Sequence, residues 1–262
     1  MKVLIKLGGT LLDAPESRQR LASEIRDLMA QGIHAVVVHG GGKQMTRYLA
    51  ERGIESTFVN GLRVTSAEVL DAVLKVFAGT VNHQLVAAFS AAGVRAVGLT
   101  GMDAFLTEAE QLSPALGFVG KPVRSDPAVL HLLSEHGYLP VVACVGGDRN
   151  GNFYNVNADQ MAVACASAYG ADKLLFLTDV AGVCNAQMQV FPKLTVYQCQ
   201  ELIDGGVATG GMRAKLESAV DALNRGVGQI AIAPGMQPGV LRQLMDGDAV
   251  GTLLVAEAVK PW

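Results

Sequence analysis

Near its N-terminus the sequence reads Lys6-Leu7-Gly8-Gly9-Thr10, directly after the apolar run Val3-Leu4-Ile5. A short apolar run rich in β-branched residues predicts a buried strand, and the two glycines end it because they let the backbone approach other groups closely. A helical pattern follows over residues 15–31. Ligands bind at this strand-to-helix edge of parallel sheets, and a lysine beside glycine amides suits an anion such as phosphate. Taken alone, the stretch is explained equally well by an ordinary turn beside a solvated lysine.

The rest of the chain repeats this pattern of apolar runs followed by helical segments. Repeated strand–helix–strand order predicts a mainly parallel sheet with helices on both faces. The predicted strands are residues 3–7, 35–39, 96–99, 139–145, 173–178, 229–233 and 251–255. The predicted helices are residues 15–31, 43–52, 66–92, 127–136, 158–169, 197–204, 212–225 and 239–246. Two segments break the pattern, residues 55–64 and 106–123, and their short alternating sequences predict hairpins that fold over a site as lids.

The composition argues against several classes of protein. Of the 262 residues, 50% are apolar and 17% are charged, as expected for strands buried on both faces, yet no apolar run approaches the ~18 residues of a membrane span. The net charge of −3 gives no indication of a nucleic-acid or membrane partner. The N-terminus lacks the apolar core of a signal peptide, and the four scattered cysteines have no metal-ligand spacing. Together these features predict a cytoplasmic protein without a metal site.

A second glycine cluster, His39-Gly40-Gly41-Gly42-Lys43, follows the apolar run Val36-Val37-Val38 and opens a predicted helix. Two such clusters at the carboxyl ends of two strands could surround one anion with backbone N–H groups. A flexible turn is the alternative. His39 is a candidate general base, and a structural residue at the strand end explains it at least as well.

Polar side chains cluster before two further predicted helices. Arg63, within the segment Asn60–Thr65, could bind a carboxylate bidentately, or it could simply be exposed. In the segment Asn155–Asp159 the two asparagines point the same way along an extended chain, so two amides and a carboxylate converge at a helix start. Helix capping by Asn157 alone would leave Asn155 unexplained.

Two segments of the C-terminal third have similar features. Thr178-Asp179-Val180-Ala181-Gly182 ends an apolar strand at the ligand-binding edge. Thr209-Gly210-Gly211 leads into an amphipathic helix, where Lys215 in the first turn would oppose the helix dipole unless it faces an anion. A lysine that points into solvent is the common alternative.

The sequence has no P-loop, no Gly-x-Gly-x-x-Gly after a strand, no protein-kinase signature and no Gly-x-Ser-x-Gly elbow.

Taken in order, these segments resemble the amino-acid kinase family, and within it the members that phosphorylate N-acetylglutamate. The resemblance runs from Lys6 almost to the C-terminus, and its specificity rests on many ordered motifs. The matching motifs are KLGG, VVHGGGKQ, NGLRVT, AGTVN, GLTGMD, GYLPVV, YNVNAD, LTDVAGV, GGMRAKLESA and VGTLLV. Two of them, NGLRVT and YNVNAD, favour the N-acetylglutamate branch. Leu7 and Leu11 depart from the KFGGTS opening that is usual in aspartate kinases.

The resemblance implies the role of each matching residue. Lys6 and Lys215 would stabilise charge on the transferring phosphoryl group, and Asp159 would orient the two lysines. The substrate-binding residues that it implies are Gly41, Gly42, Arg63, Asn155 and Asn157. The residues that it implies for ATP and its phosphates are Gly8, Gly9, Asp179, Val180, Gly182, Thr209, Gly210 and Gly211. ATP would carry the Mg²⁺ ion, so no metal site on the protein is implied.

The resemblance also implies the fold and the reaction. The fold would be a three-layer αβα sandwich with a mainly parallel open sheet, one domain over residues 1–262 with an amino-acid-binding lobe (1–172) and a nucleotide-binding lobe (173–262). The reaction would be ATP-dependent phosphorylation of the side-chain carboxylate of N-acetyl-L-glutamate to N-acetyl-L-glutamyl 5-phosphate, the second step of arginine biosynthesis. The alternatives are N-succinylglutamate or carrier-bound aminoadipate as the substrate, or a non-catalytic amino-acid sensor.

Departures from the family bear on assembly and on one lid. Family members that arginine inhibits usually carry an N-terminal helix that links dimers into a hexamer, whereas this sequence starts directly at its first predicted strand. The resemblance therefore implies a homodimer without arginine feedback. The segment 103–111 does not match the family pattern, which leaves the conformation of that lid open.

Overall fold

The computed structural model describes residues 1–256, so residues 257–262, the end of the predicted nucleotide-binding lobe, lie outside the described residues. The strands are β1 (Lys2–Leu7), β2 (His34–His39), β3 (Phe58–Val59), β4 (Leu62–Arg63), β5 (Ala96–Thr100), β6 (Thr107–Gln111), β7 (Val119–Ser125), β8 (Leu139–Ala143), β9 (Val145–Gly147), β10 (Phe153–Val156), β11 (Lys173–Thr178), β12 (Lys193–Thr195), β13 (Gln229–Pro234) and β14 (Thr252–Val255). The α-helices are α1 (Pro15–Ala30), α2 (Gly42–Ala50), α3 (Ala67–Val73), α4 (Asn82–Ala91), α5 (Ala128–Glu135), α6 (Ala158–Tyr169), α7 (Val196–Asp204), α8 (Gly210–Asn224) and α9 (Val240–Asp246). A π-helical segment, Leu74–Val81, joins α3 to α4.

Eight of the strands within residues 1–256 form one sheet, in the order β12-β14-β13-β11-β1-β2-β8-β5. All neighbours in this sheet pair in parallel except β13 and β14. The predicted mainly parallel sheet is therefore confirmed. Strand β1 lies near the centre, where Lys6 is level with Phe176 of β11 and Val38 of β2. The carboxyl ends of β1, β2 and β11 consequently meet at one edge of the sheet.

Helices cover both faces of this sheet, as the sequence predicts. On one face α1 packs against α4 and α9, and on the other face α6 packs between α8 and α5. The central strands are buried from both sides, and every residue from Val3 to Leu7 is buried. This core gives the three-layer αβα arrangement and holds the ends of the central strands in fixed positions.

The two predicted hairpins are present. Strands β3 and β4 pair antiparallel within residues 55–64, and β6 pairs antiparallel with β7, just beyond the predicted end at residue 123. In addition, β6, β7, β9 and β10 close into a small barrel. The single strand predicted over residues 139–145 divides into β8 in the sheet and β9 in the barrel. Strand β12 is missing from the sequence prediction because three residues are too few to show a periodic pattern.

The helix predicted over residues 66–92 is continuous but contains the π-helical segment. Ser66 caps its start, because the Ser66 hydroxyl accepts a hydrogen bond from the Val69 N–H at 3.2 Å. Among residues 1–256, only Ala67–Ala91 has the length and mean hydropathy of a membrane span, and 44% of its most apolar window is buried within the protein. Its α4 part packs against α1, β5 and β8. This is the arrangement of a core helix that covers a sheet.

Candidate active site

Lys6, Asp159 and Lys215 meet at the carboxyl edge of the sheet. Lys6 lies near the end of β1, Asp159 in the first turn of α6, and Lys215 on α8. Nζ of Lys6 is 2.7 Å from Oδ1 of Asp159, and Nζ of Lys215 is 3.3 Å from Oδ2 of the same carboxylate. The exposed fractions of the three side chains are 9%, 8% and 17% in chain order. The structure thus brings together the three residues predicted for catalysis.

Two members of this cluster lie on helices, and the start of α6 positions one of them. Asn157 caps α6, as predicted, because its Oδ1 accepts hydrogen bonds from the N–H groups of Asp159 (2.9 Å) and Gln160 (3.2 Å). Asp159 consequently lies in the first turn, where the helix dipole favours a carboxylate. The placement of Lys215 in the first turn of its helix is wrong. Helix α8 begins at Gly210, so Lys215 lies in the second turn, and its partner is Asp159.

Burial and charge act in opposite directions on the Asp159 carboxyl. Burial by itself would raise its pKa, but the positive charges of Lys6 and Lys215 outweigh this effect and hold the pKa below its ordinary value. Asp159 is therefore ionised at neutral pH and fixes both ammonium groups. Two positive charges against one negative charge leave the cluster with a net positive charge, which suits an anionic ligand.

In the turn after β1, charged side chains lie so close to Gly8 and Gly9 that neither position has room for a Cβ atom. A Cβ atom on Gly8 would lie 2.6 Å from Nζ of Lys6, and one on Gly9 would lie 2.5 Å from Oδ1 of Asp179. Gly9 also has a φ of +62°, a conformation that other residues rarely adopt. Asp179, which follows β11, forms an ion pair of 3.6 Å with Lys43. The two glycines therefore lie between the buried lysine cluster and a second charged pair.

A pocket of about 190 Å³ opens beside the second glycine cluster. All five predicted substrate-binding residues line it, namely Gly41, Gly42, Arg63, Asn155 and Asn157. Apolar side chains complete the lining, namely those of Phe58, Leu62, Phe77, Val119 and Val156. Convergent polar groups in an otherwise apolar concavity suit a small polar molecule that carries an apolar group.

Arg63 is buried, so the alternative of an exposed arginine is wrong. Its guanidinium donates hydrogen bonds to the Gly42 carbonyl (3.2 Å) and to the Thr46 hydroxyl (2.8 Å). A further hydrogen bond joins it to the Ser56 hydroxyl, and the ring of Phe58 lies 4.6 Å from the guanidinium carbon. Burial lowers the pKa of the Arg63 guanidinium from its ordinary value. These contacts hold a positive charge at the pocket wall.

Two residues at the site are missing from the sequence prediction. The buried Thr65 hydroxyl accepts a hydrogen bond from Nδ2 of Asn155 at 3.0 Å and donates one to the Arg63 carbonyl at 2.8 Å. Lys43 pairs with Asp179. The position of Lys43 directly after three glycines was a usable signal, whereas Thr65 and Asn155 are 90 positions apart and no local pattern links them.

A second cavity, of about 500 Å³, adjoins this pocket. Asn157 lines both spaces, so they meet at the start of α6. Asp159 and Lys215 line the second cavity, together with Gly210 and Gly211 from the start of α8. Asp159 and Lys215 of the charged cluster therefore face the larger cavity, and the smaller pocket lies beside them.

The remaining residues predicted for ATP lie in two turns. Val180 is exposed, and a Cβ atom on Gly182 would lie 2.8 Å from the hydroxyl of Thr252 in β14. An open cavity of about 510 Å³ adjoins this first turn at Ala181. Thr209 occupies the N-cap position of α8, where its side chain makes no capping hydrogen bond. Both turns border open space.

His39 is a structural residue, and its interpretation as a general base is wrong. Its ring is completely buried, with Nδ1 2.8 Å from the Gly40 carbonyl oxygen and Nε2 3.0 Å from Nδ2 of Asn82. Burial lowers the pKa of the His39 imidazole to about 4, although the hydrogen bond to Gly40 acts to raise it. A neutral imidazole with both nitrogens occupied cannot take a proton from a substrate.

The amino acid kinase family model matches residues 1–234, and the chain belongs to this family. Within the family, the chain is similar to acetylglutamate kinases. It is 60% identical over 255 residues to the acetylglutamate kinase of Solibacter usitatus (strain Ellin6076), which covers 97% of this chain and 99% of that protein. The resemblance that the motifs indicate is thereby confirmed.

Solved structures share the fold. N-acetylglutamate synthase from Neisseria gonorrhoeae, in complex with coenzyme A and N-acetyl-glutamate, has a TM-score of 0.88 and 27% identity, over 98% of this chain and 60% of that chain. A Giardia carbamate kinase has a TM-score of 0.74 and 17% identity, over 98% of this chain and 99% of that chain. At that identity the second likeness concerns the fold alone. The predicted three-layer fold is confirmed.

Proposed function

We propose that this protein transfers a phosphoryl group from ATP to the side-chain carboxylate of N-acetyl-L-glutamate and forms N-acetyl-L-glutamyl 5-phosphate, the second step of arginine biosynthesis. One observation carries the proposal: two ammonium groups from opposite ends of the chain bind one buried carboxylate, between a small pocket and a larger cavity. The similarity to acetylglutamate kinases over nearly the whole chain supports this choice of substrate.

The chemistry of this reaction is chiefly electrostatic. The nucleophile is a carboxylate that is already ionised at neutral pH, so no general base is needed. The obstacle is repulsion, because two like charges about 4 Å apart cost about 4 kcal/mol at an effective dielectric constant of 20. Lys6 and Lys215 would offset the charge that builds up on the transferring group, and Asp159 would hold them in position. The N–H groups of Gly8 and Gly9 would donate hydrogen bonds to the same group.

The small pocket would hold the acylated amino acid. Arg63 and Asn155 would bind its α-carboxylate and amide, since both line the pocket and each is fixed by hydrogen bonds to neighbouring residues. Gly41 and Gly42 would present backbone groups to it, and Asn157 lies where the pocket meets the larger cavity. The apolar part of the lining would take the acetyl group.

ATP would bind on the side of β11 and α8, in a lobe formed by residues 173–262, while residues 1–172 form the amino-acid lobe. Its phosphates would lie near Gly210 and Gly211, where the start of α8 offers unpaired N–H groups. Asp179, Val180, Gly182 and Thr209 would line the rest of the nucleotide site. No group of three or more His, Cys, Asp or Glu side chains in residues 1–256 could hold a metal ion. We propose that Mg²⁺ binds with the ATP phosphates, as it usually does in enzymes that transfer phosphoryl groups.

The protein would act as a cytoplasmic homodimer. Strand β5 is an edge strand of the sheet that pairs only with β8 within the described residues, and its residues are half-buried or exposed. An uncovered edge of this kind presents unpaired backbone groups to a second copy. Sedimentation equilibrium should give the mass of a dimer, and a monomer over the working concentration range would contradict this assembly.

A substrate comparison tests the proposed function. Purified protein with ATP and Mg²⁺ should form an acyl phosphate with N-acetyl-L-glutamate, which hydroxylamine traps as a hydroxamate. N-succinyl-L-glutamate and aminoadipate, assayed at equal concentrations, should give much lower kcat/KM. Higher kcat/KM with either alternative would reassign the substrate, and no transfer to any of the three would favour a non-catalytic sensor.

A further inference from the structure

Three residues that so far have no assigned role lie next to one another, two of them buried and the third, Gly98, on the exposed edge strand β5. Asn82 belongs to the AGTVN motif, His39 to the second glycine cluster, and Gly98 to the GLTGMD motif. Nδ2 of Asn82 is 3.0 Å from Nε2 of His39, and a Cβ atom on Gly98 would lie 2.1 Å from Oδ1 of Asn82. His39 and Asn82 are almost completely buried. None of the three lines the amino-acid pocket.

The hydrogen bonds of this cluster are mutually consistent in one arrangement. Nδ2 of Asn82 has two protons; it donates one to the Val141 carbonyl at 2.8 Å and the other to Nε2 of His39. Because Nε2 accepts, Nδ1 of His39 carries the ring proton and donates it to the Gly40 carbonyl at 2.8 Å. The chain of bonds thus runs from the end of the π-helical segment to the first residue of the glycine loop Gly40–Gly42.

The same helical stretch also bounds the next residue of that loop. A Cβ atom on Gly41 would lie 2.8 Å from the ring of Phe77, which belongs to the π-helical segment and lines the pocket. π-Helical turns are rare and frequently occur at functional sites. Here the helical stretch approaches the glycine loop twice, through Phe77 of the π-helical segment at the pocket and through Asn82, the first residue of α4, which reaches the loop by way of His39. A shift of the loop would therefore meet the Phe77 ring or break the hydrogen bond at Gly40.

We propose that His39 and Asn82 are positioning residues for the amino-acid substrate. By fixing the Gly40 carbonyl they set the orientation of the Gly41 and Gly42 backbone groups at the pocket, and Gly98 leaves the space that Asn82 needs. This inference rests on the proposed function, because it takes N-acetylglutamate as the ligand of that pocket. It predicts an effect on amino-acid binding that is separate from ATP binding.

Two substitutions of His39 separate its two hydrogen bonds. An asparagine amide can place its nitrogen near the position of Nδ1, whereas a glutamine amide reaches the position of Nε2 and leaves Gly40 without a donor. His39→Gln should therefore raise the KM for N-acetylglutamate roughly tenfold, the loss expected for one buried hydrogen bond. His39→Asn should raise it by only about threefold. The KM for ATP should stay within twofold of wild type in both variants.

Gly98→Ala tests the cluster without changing either hydrogen-bonding residue. The added methyl group would displace the Asn82 amide, so this variant should show the same selective rise in KM as His39→Gln. Leu85→Ala is the matched control, because Leu85 is buried in α4 one turn beyond Asn82 and its loss destabilises the same helix. The control should lower the free energy of unfolding and leave both KM values unchanged. Sedimentation of each variant verifies that the assembly is the same as in wild type.

Titration calorimetry with N-acetylglutamate alone supplies a readout that does not depend on turnover. Weaker binding in His39→Gln and Gly98→Ala, with normal binding in Leu85→Ala, would support the positioning role. Wild-type KM and Kd in folded His39→Gln or folded Gly98→Ala would overturn it, as would an equal rise in both KM values in all variants. If the wild-type protein neither binds nor phosphorylates N-acetylglutamate, the proposed function fails first and the positioning role assigned here is refuted with it.

Discussion

Two lysine–aspartate groups lie at the same edge of the sheet in different surroundings. Asp159 is enclosed and holds Lys6 and Lys215, whereas Asp179 and Lys43 form an ion pair with exposed fractions of 44% and 51%. Water and salt screen the exposed pair, so its attraction is weak. Water and salt screen the enclosed group much less, so each of its charges strongly affects the electrostatic energy of the others.

The two groups also differ in net charge, and this difference is as informative about their function as the difference in burial. The exposed pair is neutral, whereas the enclosed cluster has one more positive charge than negative charge and faces a cavity. Burying an unbalanced charge is costly, so such a cluster is stable only because Asp159 links both lysines. The excess charge is then available to an incoming anion. This is the electrostatic arrangement that phosphoryl transfer between two anions requires.

The largest effect is expected when a lysine of the enclosed cluster is removed. Lys6→Ala or Lys215→Ala should raise the activation barrier by roughly 3–4 kcal/mol, the loss typical of a fixed charge-stabilising donor, so kcat should fall by about 10²–10³-fold. Steady-state rates at saturating ATP and N-acetylglutamate measure this. Lys43→Ala is the control from the exposed pair. Turnover within a few-fold of wild type in either cluster variant would show that the cluster does not act on the reacting group.

The next effect concerns stability. Asp159→Asn removes the negative charge that links the two lysines and leaves two buried ammonium groups close together. Breaking a buried ion pair in this way should lower the free energy of unfolding by about 3 kcal/mol, the lower end of the usual range because Lys215 is partly exposed. Urea denaturation of the two proteins measures the difference. A variant as stable as wild type would mean that the lysines find other partners.

The enclosed cluster was more predictable from the sequence than its surroundings. Lys6 follows a buried run and precedes paired glycines, and Asp159 follows a helix cap, so local spacing places both at ligand-binding ends of elements. Their convergence follows from the strand order of a parallel sheet and from the family resemblance. The position of Lys215 within its helix was missed, because the two glycines predicted as a loop are already helical.

Contacts between distant segments could not be predicted. The pairing of Lys43 with Asp179 depends on how two loops approach each other after the sheet has formed. The closed barrel of β6, β7, β9 and β10 depends on pairings between strands that are short and only weakly periodic. The sequence also gives no sign of the π-helical segment, since an apolar face with helical spacing suits an α-helix as well.

A smaller effect is expected from pH. The pKa of Asp159 is lower in the folded protein than in the unfolded chain, so its ionised form stabilises the fold above the unfolded value of about 3.9. This stabilisation is lost as the pH falls through the folded pKa, with a slope of at most about 1.4 kcal/mol per pH unit. The difference in free energy of unfolding between wild type and Asp159→Asn should therefore become smaller below about pH 4. If this difference stays constant down to the lowest pH at which both proteins fold, Asp159 is not the titrating group.

The smallest effect is expected at the exposed pair. Lys43→Ala, Asp179→Asn and the double variant form a cycle whose coupling energy should be about 0.2–1 kcal/mol, the usual value for an exposed ion pair. Urea unfolding at low and high salt measures it, and salt should abolish it because the pair is half exposed. The same cycle measured with bound ATP tests whether the exposed pair becomes enclosed when the site is occupied. If bound ATP makes this coupling energy larger and insensitive to salt, the pair is shielded from water when the site is occupied. The pair then behaves as the enclosed cluster does in the free protein. If the coupling remains weak, only the enclosed cluster provides strong electrostatic stabilisation at this edge.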